Sequence, residues 1–168
     1  METLDALRGK RDTRSYRSDA VAADVLERVL DAARMAGSAK NIQPVRIVVV
    51  TDPDDKVALK AGGDFASWID QPPVLAVMTV RSDAGPRRLF DVGRHSQNLM
   101  VAAHAEGLAS CPVTFHHPDV VAPILGLPDG IEAPMVVTLG WPGEAAGPSP
   151  IAGPRLPLAD YVSYGTWS

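Results

Sequence analysis

Cysteine is nearly absent from this chain. Its 168 residues include one, Cys111, which excludes an intrachain disulfide and any multi-cysteine zinc or iron–sulfur site. Long apolar runs are missing too, and none approaches the roughly 18 residues of a membrane span. The opening Met1-Glu2-Thr3-Leu4-Asp5-Ala6-Leu7-Arg8 lacks the basic and apolar regions of a signal peptide. A soluble, reduced, cytoplasmic protein is therefore expected. No internal repeat or low-complexity segment occurs. Sixteen Lys and Arg against twenty Asp and Glu give a net charge of −4, which argues against a whole-surface nucleic-acid binder. The 46% hydrophobic and 21% charged residues match a globular chain rather than a disordered one. The length suits a single domain, residues 1–168, or half of a symmetric dimer.

Several signatures of chemistry are also lacking. No His-Glu-x-x-His pattern is present among His95, His104, His116 and His117. Adjacent His116 and His117 cannot both face one way on a strand, so all four read as surface or packing histidines and no metal is expected. There is no Gly-x-Ser-x-Gly elbow. Cys111 follows Ser110 in an apolar strand, where a buried, inert thiol is the default. Neither a Gly-x-Gly-x-x-Gly motif nor a phosphate-loop lysine motif occurs, against a Rossmann or P-loop site.

What is present is a series of amphipathic and apolar segments. A short helix is expected from Glu2 to Gly9, with Leu4 and Leu7 on one side. Leu26, Val29, Leu30 and Ala33 fall at i, i+3, i+4 and i+7, one stripe of a helix ending near Met35. Ala22 and Ala23 are poor caps for it. Val45 to Val50 reads as a buried strand. A short helix follows from about Asp54 to Ala61, then a strand from Val74 to Val80 opened by Pro72-Pro73. Arg88 to Glu106 forms a long helix, apolar on most of its circumference and so buried in the core or at a subunit interface, with Gly107 as its stop. Ala109 to Phe115 is a third strand, Pro118 to Leu125 a short helix, and Pro134 to Leu139 a fourth strand. After Trp141, prolines and glycines preclude core elements, yet the chain ends Tyr161-Val162-Ser163-Tyr164-Gly165-Thr166-Trp167. Those aromatics need something to pack on, either the chain's own surface or a partner subunit. Strands and helices alternate irregularly, which indicates an α+β fold with helices on both sides of a mixed sheet.

One stretch departs from the acidic average. Arg8, Lys10, Arg11, Arg14 and Arg17 are opposed only by Asp12. Arginine forks suit phosphate oxygens, although such a cluster is also a common solvated face. The loop Gly37-Ser38-Ala39-Lys40-Asn41-Ile42-Gln43-Pro44 offers hydroxyl and amide groups that can read the edge of a heterocycle, or simply make a turn. Together these stretches resemble the nitroreductase family, FMN-dependent homodimeric flavoproteins. The family's basic segment after the first helix corresponds to Lys10-Arg11-Asp12-Thr13-Arg14-Ser15-Tyr16. Its Asp-Ala-Ala-Arg helix end and following loop correspond to Asp31 through Pro44. The long helix is similar to the family's central one, from Asp91-Val92-Gly93 through Gln97-Asn98-Leu99 to Gly107-Leu108. The end fits with Arg155, Pro157-Leu158, Tyr161-Val162 and Trp167.

The resemblance implies a nitroreductase-like fold, a central mixed, mostly antiparallel sheet flanked by helices, with an arm over residues 142–168 extending to the partner subunit. It implies FMN at the interface of a homodimer. Lys10, Arg11 and Arg14, with Asp12 in the same segment and Arg155 from the C-terminal stretch, would surround the phosphate and ribityl chain. Arg14 would lie near the flavin N1–C2 carbonyl, where a cation favours the anionic reduced flavin. Ser38, Ala39 and Asn41 would come from the other subunit, and Val113 and Thr114 would lie near the flavin N5. The flavin would carry the chemistry: ping-pong transfer of two electrons from NAD(P)H to a nitroaromatic, quinone or similar acceptor, with no catalytic side chain required. Three features depart from the family pattern. Asp12 stands where a hydroxyl residue is usual, and a carboxylate repels phosphate unless an arginine offsets it. Val45 stands in place of a Trp. Little room exists between Val80 and Arg88 for the helical excursion of larger members, so the pocket should be open or roofed by the partner. A non-catalytic or specialised flavin-binding protein, or a plain basic interaction module, are the alternatives.

Overall fold

The β-branched runs build one sheet, and its two faces take the apolar stripes of different helices. In the computed structural model, which describes residues 1–147 and 153–167, four strands are arranged β1-β2-β4-β3: β1 (Val45–Val50), β2 (Val74–Arg81), β3 (Ala109–Thr114) and β4 (Ile131–Gly140). Every neighbouring pair is antiparallel. The parallel element is an isolated bridge, Asp12 to Ser110. Central β2 is buried from Val74 through Val80, as expected for a strand covered on both faces.

Alternation then sorts the side chains. Ala76, Met78, Val80, Val137 and Leu139 point to one face and meet α2 (Ala23–Arg34) and α4 (Arg88–Ala105) through Val29, Ala33, Val92, Leu99 and Ala103. Leu75, Val77, Val136 and Val113 point to the other and meet Leu59 of α3 (Pro53–Leu59) and Val121 of α5 (Pro118–Ile124). α1 (Thr3–Gly9) lies against α4. The N-cap of α2 is Ala22 and its side chain caps nothing, so tertiary packing rather than capping holds that helix. In contrast, Asp52 caps α3, accepting hydrogen bonds from the backbone of Asp54 and Asp55.

β4 begins three residues before the expected Pro134. Between Met78 and Val80 the register shifts: Met78 pairs with Met135, whereas Val80 pairs with Glu132. The extra residue on β4 is a bulge, and a bulge lets a strand continue past a proline that cannot donate to the ladder. α4 is buried along Asp91, Val92, His95, Ser96, Leu99, Met100 and Ala103 but exposes Leu89 and Phe90. The expected arm over residues 142–168 is described in part, since residues 148–152 and 168 lie outside the described residues. Its described remainder holds a short helix, α6 (Leu158–Tyr161). Among the described residues no helix is long and apolar enough to cross a membrane.

Candidate functional site

The basic segment leaves α1 and wraps the end of the sheet. Asp12 bridges Ser110, Thr13 N donates to Ser110 O at 3.1 Å, Arg17 N to Trp141 O and Gly143 N to Ser15 O, both at 3.0 Å. Backbone pairing with the start of β3 and the end of β4 thus fixes residues 12–17. The side chains divide between the two faces of the edge. Lys10 is bonded to Asp12 and also lies 3.2 Å from Met100 Sδ on α4. On the other face, the Arg14 guanidinium lies 5.2 Å from the Trp68 ring centroid, a cation–π contact. Tyr16 stacks on Trp68 with centroids 6.4 Å apart and an interplanar angle of 9°.

A hydroxyl network underlies this corner. The Tyr16 hydroxyl is 2.7 Å from Thr13 O and 2.6 Å from Thr138 Oγ1, which in turn is 3.0 Å from Cys111 O. Burial pushes the Tyr16 phenol well above its ordinary value, outweighing the hydrogen bond with Thr138. Burial also pushes the Cys111 thiol up, against the opposing hydrogen bond from Arg14. The thiol is buried, consistent with an inert thiol.

Arg14, Asp12 and Lys10 all act on the Cys111 thiol, Arg14 from the Trp68 face and Lys10 from the α4 face. Arg11 points elsewhere: its Nη1 donates to Arg8 O at 2.6 Å and to Lys10 O at 2.7 Å. Asp12 is offset by Lys10 rather than by an arginine. Arg155 is exposed in the stretch before α6; among the described residues no hydrogen bond joins it to the Lys10–Arg14 segment.

β3 is an edge strand, and this site runs along it. Ser110 O faces outward to Thr13, so by alternation Pro112 and Thr114 also turn their backbone outward. Pro112 has no N–H to present there, which blunts the edge. The side chain of Thr114 is exposed, whereas that of Val113 is buried in the core beneath α5.

The Ser38–Asn41 loop lies elsewhere. It contains a short 3₁₀ turn, Ala39–Asn41, closed by Gln43 N donating to Ser38 Oγ at 2.8 Å. Lys40, Asn41 and Gln43 have φ of 52°, 54° and 47°. Left-handed backbone at non-glycine residues is strained and concentrates at functional sites. The loop leads into Val45, which pairs with Val80 at the end of the sheet opposite to the pair Ala109–Gly140. The loop and the basic segment thus occupy diagonally opposite corners, on opposite edges. Three inter-strand spacings and about six strand residues put them about 25 Å apart.

Sequence reasoning missed the far end of the β3 edge. His116 and His117 lie past the strand, in a turn where both backbone N–H groups donate to Gly62 O, at 2.8 and 3.0 Å. Off the strand, alternation no longer applies, and both rings reach Asp64. His117 Nε2 is 2.8 Å from Asp64 Oδ1, and Asp64 N donates to His116 Nδ1 at 3.3 Å. Gly62 and Gly63 permit this approach: a Cβ on Gly63 would meet Thr114 O at 2.7 Å. The signal was local, Gly62-Gly63-Asp64 and His116-His117-Pro118, but its two halves are far apart in the chain.

The sequence model described as the Nitroreductase family matches residues 7–83 and 65–141. An "NADH dehydrogenase" of Thermus thermophilus is 31% identical across 91% of this chain and 91% of its own. That alignment spans 190 positions against a chain of 168 residues, so at least 22 positions have no counterpart here. An "FMN reductase [NAD(P)H]" of Bacillus subtilis is 36% identical over 44% of this chain and 29% of its own. A nitroreductase family protein of Clostridium difficile, known by crystal structure, superposes with a TM-score of 0.86 at 25% identity, covering 99% of this chain and 100% of that one. With residues 7–141 matched by the family model, a relative above 30% identity and this antiparallel sheet between two helical layers, the chain belongs to the nitroreductase family.

Proposed function

We propose that this protein is an FMN-dependent NAD(P)H oxidoreductase that passes two electrons to a nitroaromatic, quinone or similar acceptor, and that it works as a homodimer with flavin at the subunit interface. The observation that carries the reading is the cationic corner at the head of an open strand edge. Lys10 and Arg14 minus Asp12 leave a net charge of +1 at the corner, and Arg11, now bonded to its own backbone, would raise it to +2 on turning in, which suits a phosphate monoester of charge about −1.5 to −2. The donor set therefore fits the FMN phosphate. Beyond it, the β3 edge gives a planar heterocycle backbone acceptors and Thr114. The names of the Thermus and Bacillus relatives support the same redox class.

In this reading Lys10 and Arg14 hold the phosphate and ribityl chain, and Arg11 and Arg155 complete the seat once their side chains turn in. Lys10 also keeps Asp12 from repelling the phosphate. Bound flavin supplies hydride acceptance and donation; the chain binds, orients and excludes water. The Ser38, Ala39 and Asn41 loop serves the flavin of the partner, because in its own subunit it sits about 25 Å from the basic corner. The strained, preformed backbone of that loop suits it to a fixed ligand contact. Exposure of the tail supports the dimer: Tyr161 is 76% exposed, Tyr164 90% and Trp167 97%, so these rings do not pack on their own subunit.

The test is an absorbance spectrum of the purified protein with added FMN. The protein should retain FMN through gel filtration, and its flavin band should bleach anaerobically on adding NADH or NADPH. A protein that ignores FMN contradicts the reading. Bound FMN that neither nucleotide reduces would favour a flavin-handling protein instead.

A further inference from the structure

We propose that His117, held by Asp64, donates the proton that an acceptor takes up with its two electrons, so that the site favours acceptors whose reduction consumes protons, such as quinones. The proposal rests on the flavoenzyme reading above and adds an acid to a site that otherwise has none. His117 Nε2 donates to Asp64 Oδ1 at 2.8 Å, which leaves Nδ1 on the far side of the ring, free to carry and release a proton. A carboxylate that fixes the orientation of an imidazole and stabilises its cation is the usual arrangement for a histidine acid.

Three observations place this pair at the working end of the site. First, His116 and His117 follow directly on β3, whose outward edge begins at the basic corner, so the two ends are about 20 Å apart along one open strand edge. Second, the segment bearing Asp64 continues to Trp68, which stacks on Tyr16 and lies under Arg14; one stretch of chain thus touches both ends. Third, the pair is held rigidly yet is accessible. The Asp64 backbone N–H is fixed on His116 Nδ1, the backbone N–H groups of both histidines are fixed on Gly62 O, and the side chains of His117 and Asp64 remain 49% and 55% exposed. The trio is not arranged as a metal site: among the described residues no group of three such side chains is placed to hold an ion. The other titratable groups on the elements packed here are His116, whose Nδ1 is 3.9 Å from Asp64 Oδ2, Asp119 in the first turn of α5, Asp54, Asp55 and Lys56 on α3, and Lys60, which lies 3.0 Å from Asp70.

The step balances without another reagent. A quinone needs two electrons and two protons to become a hydroquinone. NAD(P)H supplies both electrons and one hydrogen nucleus. The second proton leaves Nδ1 of the His117 imidazolium: that N–H bond breaks, an O–H bond forms on the acceptor, and the imidazole regains a proton from water. Ferricyanide takes one electron and no proton, so its reduction does not call on His117.

The experiment compares wild type, His117→Gln and Asp64→Asn, all loaded with FMN and assayed anaerobically with NAD(P)H. Para-benzoquinone and ferricyanide serve as acceptors from pH 5.5 to 8.5. In wild type, kcat/KM for the quinone should fall as pH rises, because the step consumes a proton delivered by His117. His117→Gln should lose about 100-fold and the pH dependence with it, while ferricyanide reduction stays within about twofold. A readout independent of turnover comes from proton NMR of the FMN-free protein. The carbon-bound ring protons of His117 should report the Nε2–H tautomer in wild type and a shifted tautomer balance in Asp64→Asn. Flavin fluorescence titration reports whether each variant still folds and binds FMN. Equal losses with both acceptors, or an unchanged quinone profile in a variant that binds FMN, would overturn the proton-donor role alone. Failure of wild type to bind FMN would overturn the flavoenzyme reading and this proposal together.

Discussion

At the scale of the residue, the basic corner shows how one side chain can be required by several partners at once. Tyr16 stacks on Trp68, and its hydroxyl and that of Thr138 share two protons among three short contacts, to Thr13 O, to each other and to Cys111 O. Burial raises the Tyr16 phenol, so its neutral form is the one the fold accepts. For a group whose value is raised on folding, the stability is fully present below the unfolded value, about 10 for tyrosine, and is lost as pH rises above it. Tyr16→Phe should therefore have two effects. Near neutral pH it should destabilise the fold by about 1 kcal/mol through the lost hydrogen bonds. Above pH 10 it should flatten the decline of stability with pH, and urea unfolding at pH 7, 10 and 11 reads both. The pairing of Asp12 with Lys10 belongs to this scale too. Asp12 looked like a defect in the sequence because its partner could not be assigned; the turn after α1 folds Lys10 back onto it.

At the scale of the element, glycine spacing decides how closely the chain segment after α3 approaches the end of β3. A Cβ on Gly62 would run into Val121 Cγ2 and come within 2.8 Å of Phe115 Cδ1. Both neighbours are buried core residues that cannot swing away. Gly62→Ala should then cost about 1–3 kcal/mol, the usual range for overpacking. It should also displace the turn that carries His116 and His117, since both hang from Gly62 O. Thermal unfolding measures the first effect. The second should appear as a loss of quinone reduction beyond any change in FMN affinity. The long helix was readable from Arg88 to its glycine stop because eighteen residues of consistent pattern outweigh local ambiguity. The bulge at Pro134 was not readable, because a proline ends a strand unless the partner strand accommodates the extra residue.

At the scale of the whole molecule, the chain leaves a large apolar surface uncovered. Leu156, Leu158, Tyr161, Tyr164 and Trp167 are all at least 67% exposed, and Leu89, Phe90 and Met35 are at least 54% exposed on the helical side. Apolar exposure on this scale marks an interaction surface, and under the proposed flavin site the two diagonally placed segments could share one flavin only across two subunits. The chain should therefore run as a dimer in light scattering. Removal of residues 153–168 should weaken that dimer at least tenfold in sedimentation equilibrium and lower FMN affinity in parallel. A truncated chain that stays dimeric with full FMN affinity would show that the tail has no part in assembly.

Taken by itself, the sequence determined the class of the fold and most of its elements, because hydrophobic periodicity over six or more residues is a local property. It also marked the cationic stretch and the Ser38–Asn41 loop, since charge and short polar groups are visible in one dimension. Only the tertiary structure decided which of these residues meet. It placed Lys10 and Arg14 on either face of the edge beside Cys111, turned Arg11 onto its own backbone, buried Val113 and left Thr114 on the open edge. It joined Asp64 to His116 and His117 across 52 and 53 positions of the chain. The reason is geometric: strand register, edge position and a glycine-permitted approach set distances between residues remote in sequence, and no local pattern encodes those distances.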